Sequence, residues 1–262
     1  MKRLLLVLLM AAPAFGAELS DLYVIPAAAH ATGATGELWQ SDVSFFNPDA
    51  TPLVVDLQLV TANGAATTLG SGTTVAPHAT LLMRDIVGTA GGIGAVIVSG
   101  NHPFAIMSRA TATSSRGTFV ETVFPAADFI DATTRDSFLT GLAANAASRT
   151  NIGFFAAADR GAPMTITVTL FAADGSPLGT TQTFTIPAGA TIQMQLSTRS
   201  LTPSSFDNAS ARVSITGGSG IATAYASVVA NDTGSAAFIA GSTGVLPPSS
   251  AAARLRAHLY LQ

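Results

Sequence analysis

Thr165-Ile166-Thr167-Val168-Thr169-Leu170-Phe171 alternates between polar and apolar residues without a slip. Successive side chains of a strand point to opposite faces. A period of two therefore puts Ile166, Val168 and Leu170 on a buried face and the threonines on a wet one. Val54-Val55-Asp56-Leu57-Gln58-Leu59-Val60-Thr61 repeats the pattern, with Val55, Leu57 and Leu59 inward. Asn63-Gly64 follows one segment and Asp174-Gly175 the other, at matching places. Both dipeptides favour the positive φ values of tight hairpin turns.

The likeness extends along the chain. Ser41-Asp42-Val43-Ser44-Phe45-Phe46 recurs as Thr150-Asn151-Ile152-Gly153-Phe154-Phe155. Val75-Ala76-Pro77-His78-Ala79-Thr80-Leu81-Leu82-Met83 recurs as Ile186-Pro187-Ala188-Gly189-Ala190-Thr191-Ile192-Gln193-Met194. The copies lie roughly 110 residues apart, one domain length and too long for a solenoid unit. Short strands with turn signals every 8–12 residues read as an all-β chain of two tandem immunoglobulin-like antiparallel β-sandwich domains. Residues 18–127 form the first and 134–246 the second. Ala95–Ser99 and Phe104–Thr113 read as two strands, and Thr118–Phe124 as an extra edge strand matched by Ala236–Ala240. Single helical turns are expected around Arg84–Val87 and Thr198–Thr202. The two Phe-Phe pairs are expected to serve the two cores. The joint, Pro125–Asp136, is short, which implies a modest contact between the domains.

Residues 1–17 read as a processing signal. Lys2 and Arg3 precede the apolar run Leu4–Ala12, and small residues around Ala14-Phe15-Gly16-Ala17 supply a cleavage site. The run is shorter than the ~20 apolar residues that span a bilayer, and no later segment has the length and apolarity of a membrane helix. The expected address is outside the cytoplasm: periplasm, cell surface or extracellular space. The chain has no cysteine, which removes thiol catalysis and thiolate metal sites. Twelve basic residues face fifteen acidic ones without a basic cluster, so nucleic acid is not an expected partner. Only 10% of residues are charged, and Ala, Thr, Ser and Gly take their place. Such a surface suits packing against other proteins or copies of itself. A high-GC codon bias would give the same composition.

Chemistry-bearing patterns are few. His30, His78, His102 and His258 stand apart, with no second histidine at ligand spacing. No GxSxG elbow or SxxK motif occurs. Gly88-Thr89-Ala90-Gly91-Gly92-Ile93-Gly94 precedes a strand, the reverse of the order a dinucleotide loop requires. Asp128, Asp131 and Asp136 cluster in the joint, where calcium can stiffen tandem domains. Their spacing matches no calcium loop, and solvated surface is the plainer reading. Asp42 and Asn151, at equivalent strand positions, read as hydrogen-bonding partners of neighbouring loops. Trp39 is the single tryptophan and the one candidate for stacking on a sugar; its counterpart is Ser148. Beyond Pro247-Pro248, residues 247–262 form a tail in which Leu255, Ala257, Leu259 and Leu261 share a face. That strand can return to its own sheet or add to another molecule's.

Val24-Ile25-Pro26-Ala27-Ala28-Ala29-His30, followed by Leu38-Trp39-Gln40-Ser41-Asp42-Val43-Ser44-Phe45-Phe46-Asn47-Pro48, resembles the opening of uncharacterised secreted bacterial proteins built from tandem immunoglobulin-like modules. Ser108-Arg109 and Thr118–Ala126 resemble the module's close. The second copy departs from the pattern, with Ala156-Ala157 in place of Asn47-Pro48. The resemblance implies fold and export and supplies no catalytic residue. The expectation is a non-catalytic structural or adhesive module, with no cofactor and no metal, that contacts other extracellular proteins or itself. A carbohydrate-binding module with glycan partners is the alternative.

Overall fold

The computed structural model describes residues 19–33, 36–115, 117–127 and 129–243. The signal segment, Asp128 and the assembly strand at Leu255, Ala257, Leu259 and Leu261 lie outside the described residues. The described residues are all-β and antiparallel, and no helix among them is long and apolar enough to cross a membrane. The strands are β1 (Ser20–Thr32), β2 (Leu38–Phe46), β3 (Leu53–Val60), β4 (Ala66–Val75), β5 (Thr80–Met83), β6 (Gly92–Ser114) and β7 (Gly117–Val123). Then come β8 (Ile130–Asp131), β9 (Asp136–Ala144), β10 (Ser148–Ala158), β11 (Met164–Phe171), β12 (Gln182–Ile186) and β13 (Thr191–Ser197). The series closes with β14 (Phe206–Gly217), β15 (Gly220–Ala230), β16 (Ala236–Ala240) and β17 (Ser242–Thr243).

Among the described residues β1–β7 pair only with one another, and so do β8–β17. The C-terminal block holds two sheets, β12-β11-β14-β9-β17 and β13-β10-β15-β16, the latter with β8 on β15. Their inward residues, Ile166, Val168 and Leu170 from β11 and Phe154 and Ala156 from β10 among them, meet in one core. The N-terminal block uses the same neighbours. β4-β3-β6-β1 matches β12-β11-β14-β9, and β5-β2-β6-β7 matches β13-β10-β15-β16.

β6 appears in both N-terminal orders because it is a single 23-residue strand, where two were expected. Its first part pairs β1 and β3; from Ala105 it pairs β2 and β7. Gly100–Pro103 keeps strand geometry. The equivalent Gly217–Gly220 breaks the run, with Gly218 at φ 70°. One continuous strand therefore links what would otherwise be two sheets.

The repeated residues repeat their contacts. The Ser41 hydroxyl accepts from the Ala29 amide at 2.9 Å, and the Thr150 hydroxyl accepts from the Ala143 amide at 3.2 Å. Both hydroxyls are fully buried. Gly64 and Gly175, at φ 77° and 84°, close identical turns onto Thr61 and Ala172. His78 and Gly189, at φ 54° and 72°, follow suit. The helical turns are single 3-10 turns at Gly88–Ala90, beyond the expected Arg84–Val87, and at Thr198–Ser200.

The blocks meet through an apolar seam. Leu22, Val24, Val60, Ala95 and Ile97 pack against Phe129, Phe155, Ala157 and Ile221. Phe129 and β8 lie inside the supposed linker, which is thus built into the stack. Parts of β1, β6, β10 and β15 are buried on both faces. Ile152–Ala158 and Gly220–Ala226 are accordingly buried without interruption.

The seam also corrects the reading of the Phe-Phe pairs. Neighbours on a strand face opposite ways, so only Phe45 and Phe154 enter the cores. Phe155 faces the seam and is fully buried, whereas Phe46 is 42% exposed. Phe155→Ala should cost about 3–5 kcal/mol in urea unfolding. Phe46→Ala, compared at nanomolar protein concentration, should stay within about 0.5 kcal/mol of wild type. Similar losses at both positions would contradict this account of the seam.

Candidate functional site

One end of the seam is left unfilled. A cavity of about 440 Å³ opens between β1, β2, β6 and β7 on one side and β10, β13 and β15 on the other. Ala27, Ala28, Ala29, Ala31 and Ala110 form a small-residue apolar wall. Outward-facing polar residues of the C-terminal sheet, Asn151, Gln195, Ser197 and Ser227, form the opposite one.

Two acids reach this cavity. Glu37 is almost fully buried, and its Oε1 accepts from the Trp39 indole Nε1–H at 3.1 Å. The Arg149 guanidinium approaches the same oxygen at 3.5 Å, bridging the blocks. Glu121, on β7, has the opposite environment. Burial pushes its carboxyl up to about 7, and the Ser227 hydroxyl, which hydrogen-bonds it, lowers it only in part. Its Oε2 is buried without a hydrogen-bond partner. A buried acceptor left unpaired carries its full desolvation cost.

Tyr225 supports the polar wall. Its ring lies over Gly153, the residue opposite it in register, where a Cβ would come within 2.2 Å of the ring. Its hydroxyl accepts from Gln193 Nε2 at 2.7 Å. Burial raises the Tyr225 hydroxyl well above the ordinary tyrosine range; the Gln193 bond opposes this and the Glu121 charge adds to it. The phenol stays protonated.

The residues singled out in the sequence divide. Trp39 borders the cavity, half-buried, with its ring packed on the N-terminal core rather than standing clear as a platform. Asn151 lines the cavity, while Asp42 serves its own loop, accepting from the Asp85 amide at 2.8 Å and from Arg84 at 3.1 Å. Asp131 is buried rather than solvated, and caps a turn by accepting from the amides of Thr133 and Thr134. Asp136 accepts from Ser214 Oγ at 2.5 Å. No group of three or more metal-ligating side chains converges among the described residues. His30 is no isolated loop residue: its Nδ1 lies 2.8 Å from Asp85 Oδ2. Burial opposes ionisation of Asp85, but bonds from His30, Gln40 and Gly88 outweigh it and hold the carboxyl below the ordinary aspartate value. Asn47 is a structural staple, donating to Thr51, Val75 and Ala76 carbonyls.

Sequence reasoning passed over Glu121, Arg149 and Tyr225. The one signal at hand was an acid at alternate spacing within Thr118–Phe124, on the side of Val123 that turns inward. No family model, no curated protein and no solved structure matches this chain.

The sign of the Glu121 effect follows from its direction. The unfolded chain releases this proton near 4.5 and the folded one near 7, so the native state holds an extra proton in between. Stability therefore falls as pH rises through that window. Glu121→Gln should flatten this loss, melting a few degrees above wild type at pH 8 and close to it at pH 5, as read by circular dichroism. Gly153→Ala should cost about 1–3 kcal/mol by driving a methyl group into the Tyr225 ring.

Proposed function

We propose that this chain is an exported, non-catalytic structural module, built as two tandem immunoglobulin-like sandwiches, whose contact partner is a second copy of itself. The matched strand orders of the two blocks support the tandem reading. The signal-like residues 1–17 support export.

The observation that carries the contact is an uncovered sheet face. In the C-terminal block the outer face of β13-β10-β15 docks in the seam through Phe155, with Tyr225 and Gln195 bordering the cavity. Register places Phe46, Met107 and Leu82 at the equivalent positions of β5-β2-β6. These three are 42%, 47% and 49% exposed. Among the described residues, the apolar side chains of this face are covered in the C-terminal block and exposed in the N-terminal one. Contiguous exposed apolar surface of this kind marks a contact site.

The mode of contact follows from the other half of the seam. Ile97 and Ala95 supply it in the N-terminal block, but Arg212 and Ser210 hold the equivalent register positions on β14. A head-to-tail stack would set Phe46 against a mixed face, Arg212 and Ser210 with Phe138 beside them. Two Phe46 faces meeting around a two-fold axis bury apolar on apolar and close the assembly. Trp39, tied to Glu37, gives the glycan alternative a cavity wall rather than a stacking platform.

Light scattering on the purified chain should give a dimer at micromolar concentration. The double substitution Leu82→Glu/Met107→Glu should give a monomer with an unchanged far-ultraviolet spectrum, and Phe138→Glu on the opposite outer face should leave the dimer intact. A wild-type chain that stays monomeric at high concentration would overturn the reading.

A further inference from the structure

The unfilled end of the seam combines three properties. One wall is small and apolar, with the Trp39 ring at its side, and the opposite one is polar. A buried carboxyl oxygen, Glu121 Oε2, has no hydrogen-bond donor among the described residues. Among the described residues no cation answers that group, because Arg149 is turned to Glu37 and the influences on Glu121 are burial and the Ser227 hydroxyl. We propose that this cavity is a binding site for a primary ammonium carried on a compact apolar body, such as an arylethyl- or short alkylammonium ion.

An ammonium supplies both things the carboxylate lacks, a donor for Oε2 and a counter-charge. Charge-assisted bonds of this kind are about twice as strong as neutral ones. The apolar body lies along Ala27–Ala31 and the Trp39 ring, where the ammonium also gains from the ring's negative face. The volume, about 440 Å³, falls within the ordinary size of small-molecule sites. A hydroxyl would satisfy Oε2 without the charge. A ligand carboxylate would be repelled.

The same group sets a pH dependence. The titratable groups facing Glu121 are Tyr225 on β15, which stays protonated, and Glu37 with Arg149, which close on each other. β1 and β6 present only uncharged side chains to the cavity. Ammonium binding requires Glu121 ionised, so the free protein must first release its proton. Affinity should rise roughly tenfold between pH 6 and pH 8 as the carboxyl passes through its midpoint. Below that midpoint, binding should release a proton.

The test is isothermal titration of the purified chain with 2-phenylethylamine at pH 6 and pH 8, in two buffers of different ionisation enthalpy. 2-Phenylethanol, phenylacetate and methyl β-glucoside serve as comparison ligands. The amine should bind, more tightly at pH 8, with proton release at pH 6. Glu121→Gln should weaken it at least tenfold while remaining folded by circular dichroism. The Leu82→Glu/Met107→Glu chain should bind as wild type does, which separates this site from the self-contact. Absence of amine binding at millimolar concentration, equal binding of the alcohol, or an unaffected Glu121→Gln chain would each refute the proposal. Binding of the glucoside in place of the amine would transfer the site to glycan recognition and refute it as well.

Discussion

Burial of Phe155 against Leu22, Val24 and Ile97 is the contact on which the rest of the molecule depends. A sheet with one wet face needs a single core beneath it. Here β1, β6, β10 and β15 each touch apolar neighbours on both sides, so the two cores and the seam form one continuous stack. The linker strand β8 and Phe129 are drawn into that stack because their apolar side chains have nowhere drier to go. The cavity exists because the stack stops short, where the outer face of the C-terminal sheet turns from Phe155 and Ala157 to Tyr225, Ser227 and Asn151.

The two blocks share their backbone features and differ in individual side chains. Buried hydroxyls at Ser41 and Thr150, the turns at Gly64 and Gly175, and the strand neighbours are shared, since each meets a backbone requirement common to both copies. What differs is local. Gly153 stands where the first copy has Ser44, and that lost side chain is what lets the Tyr225 ring lie flat on the sheet and hold Gln193. Asn47, which staples three carbonyls, gives way to Ala156 in the opposite core.

Much of the fold was legible in the residues. The period of two at Thr165–Phe171 fixed strand and face together, and Asn63-Gly64 and Asp174-Gly175 marked their turns. Local pattern could not report what depends on distant partners. Phe46 and Phe155 are the same residue in the same motif, yet one is exposed and the other buried, because burial is decided by what docks on the sheet and not by the strand itself. Gly100–Pro103 read as a turn, but the neighbouring β1 and β3 pull it straight enough to keep β6 whole. Glu121 is unremarkable within its own strand. Its burial comes from Ser227 and its neighbours, far along the chain, and so the cavity could not be read locally.

The seam also imposes an order on events as the chain is made. Leu22, Val24, Ala95 and Ile97 emerge early, while Phe155 and Ile221, which cover them, emerge late. Until β15 is complete, the N-terminal block presents an apolar sheet face to its surroundings in addition to the one at Phe46. A half-made chain is therefore stickier than the finished protein, and its most vulnerable interval ends only when roughly the last strands of the repeat have been synthesised.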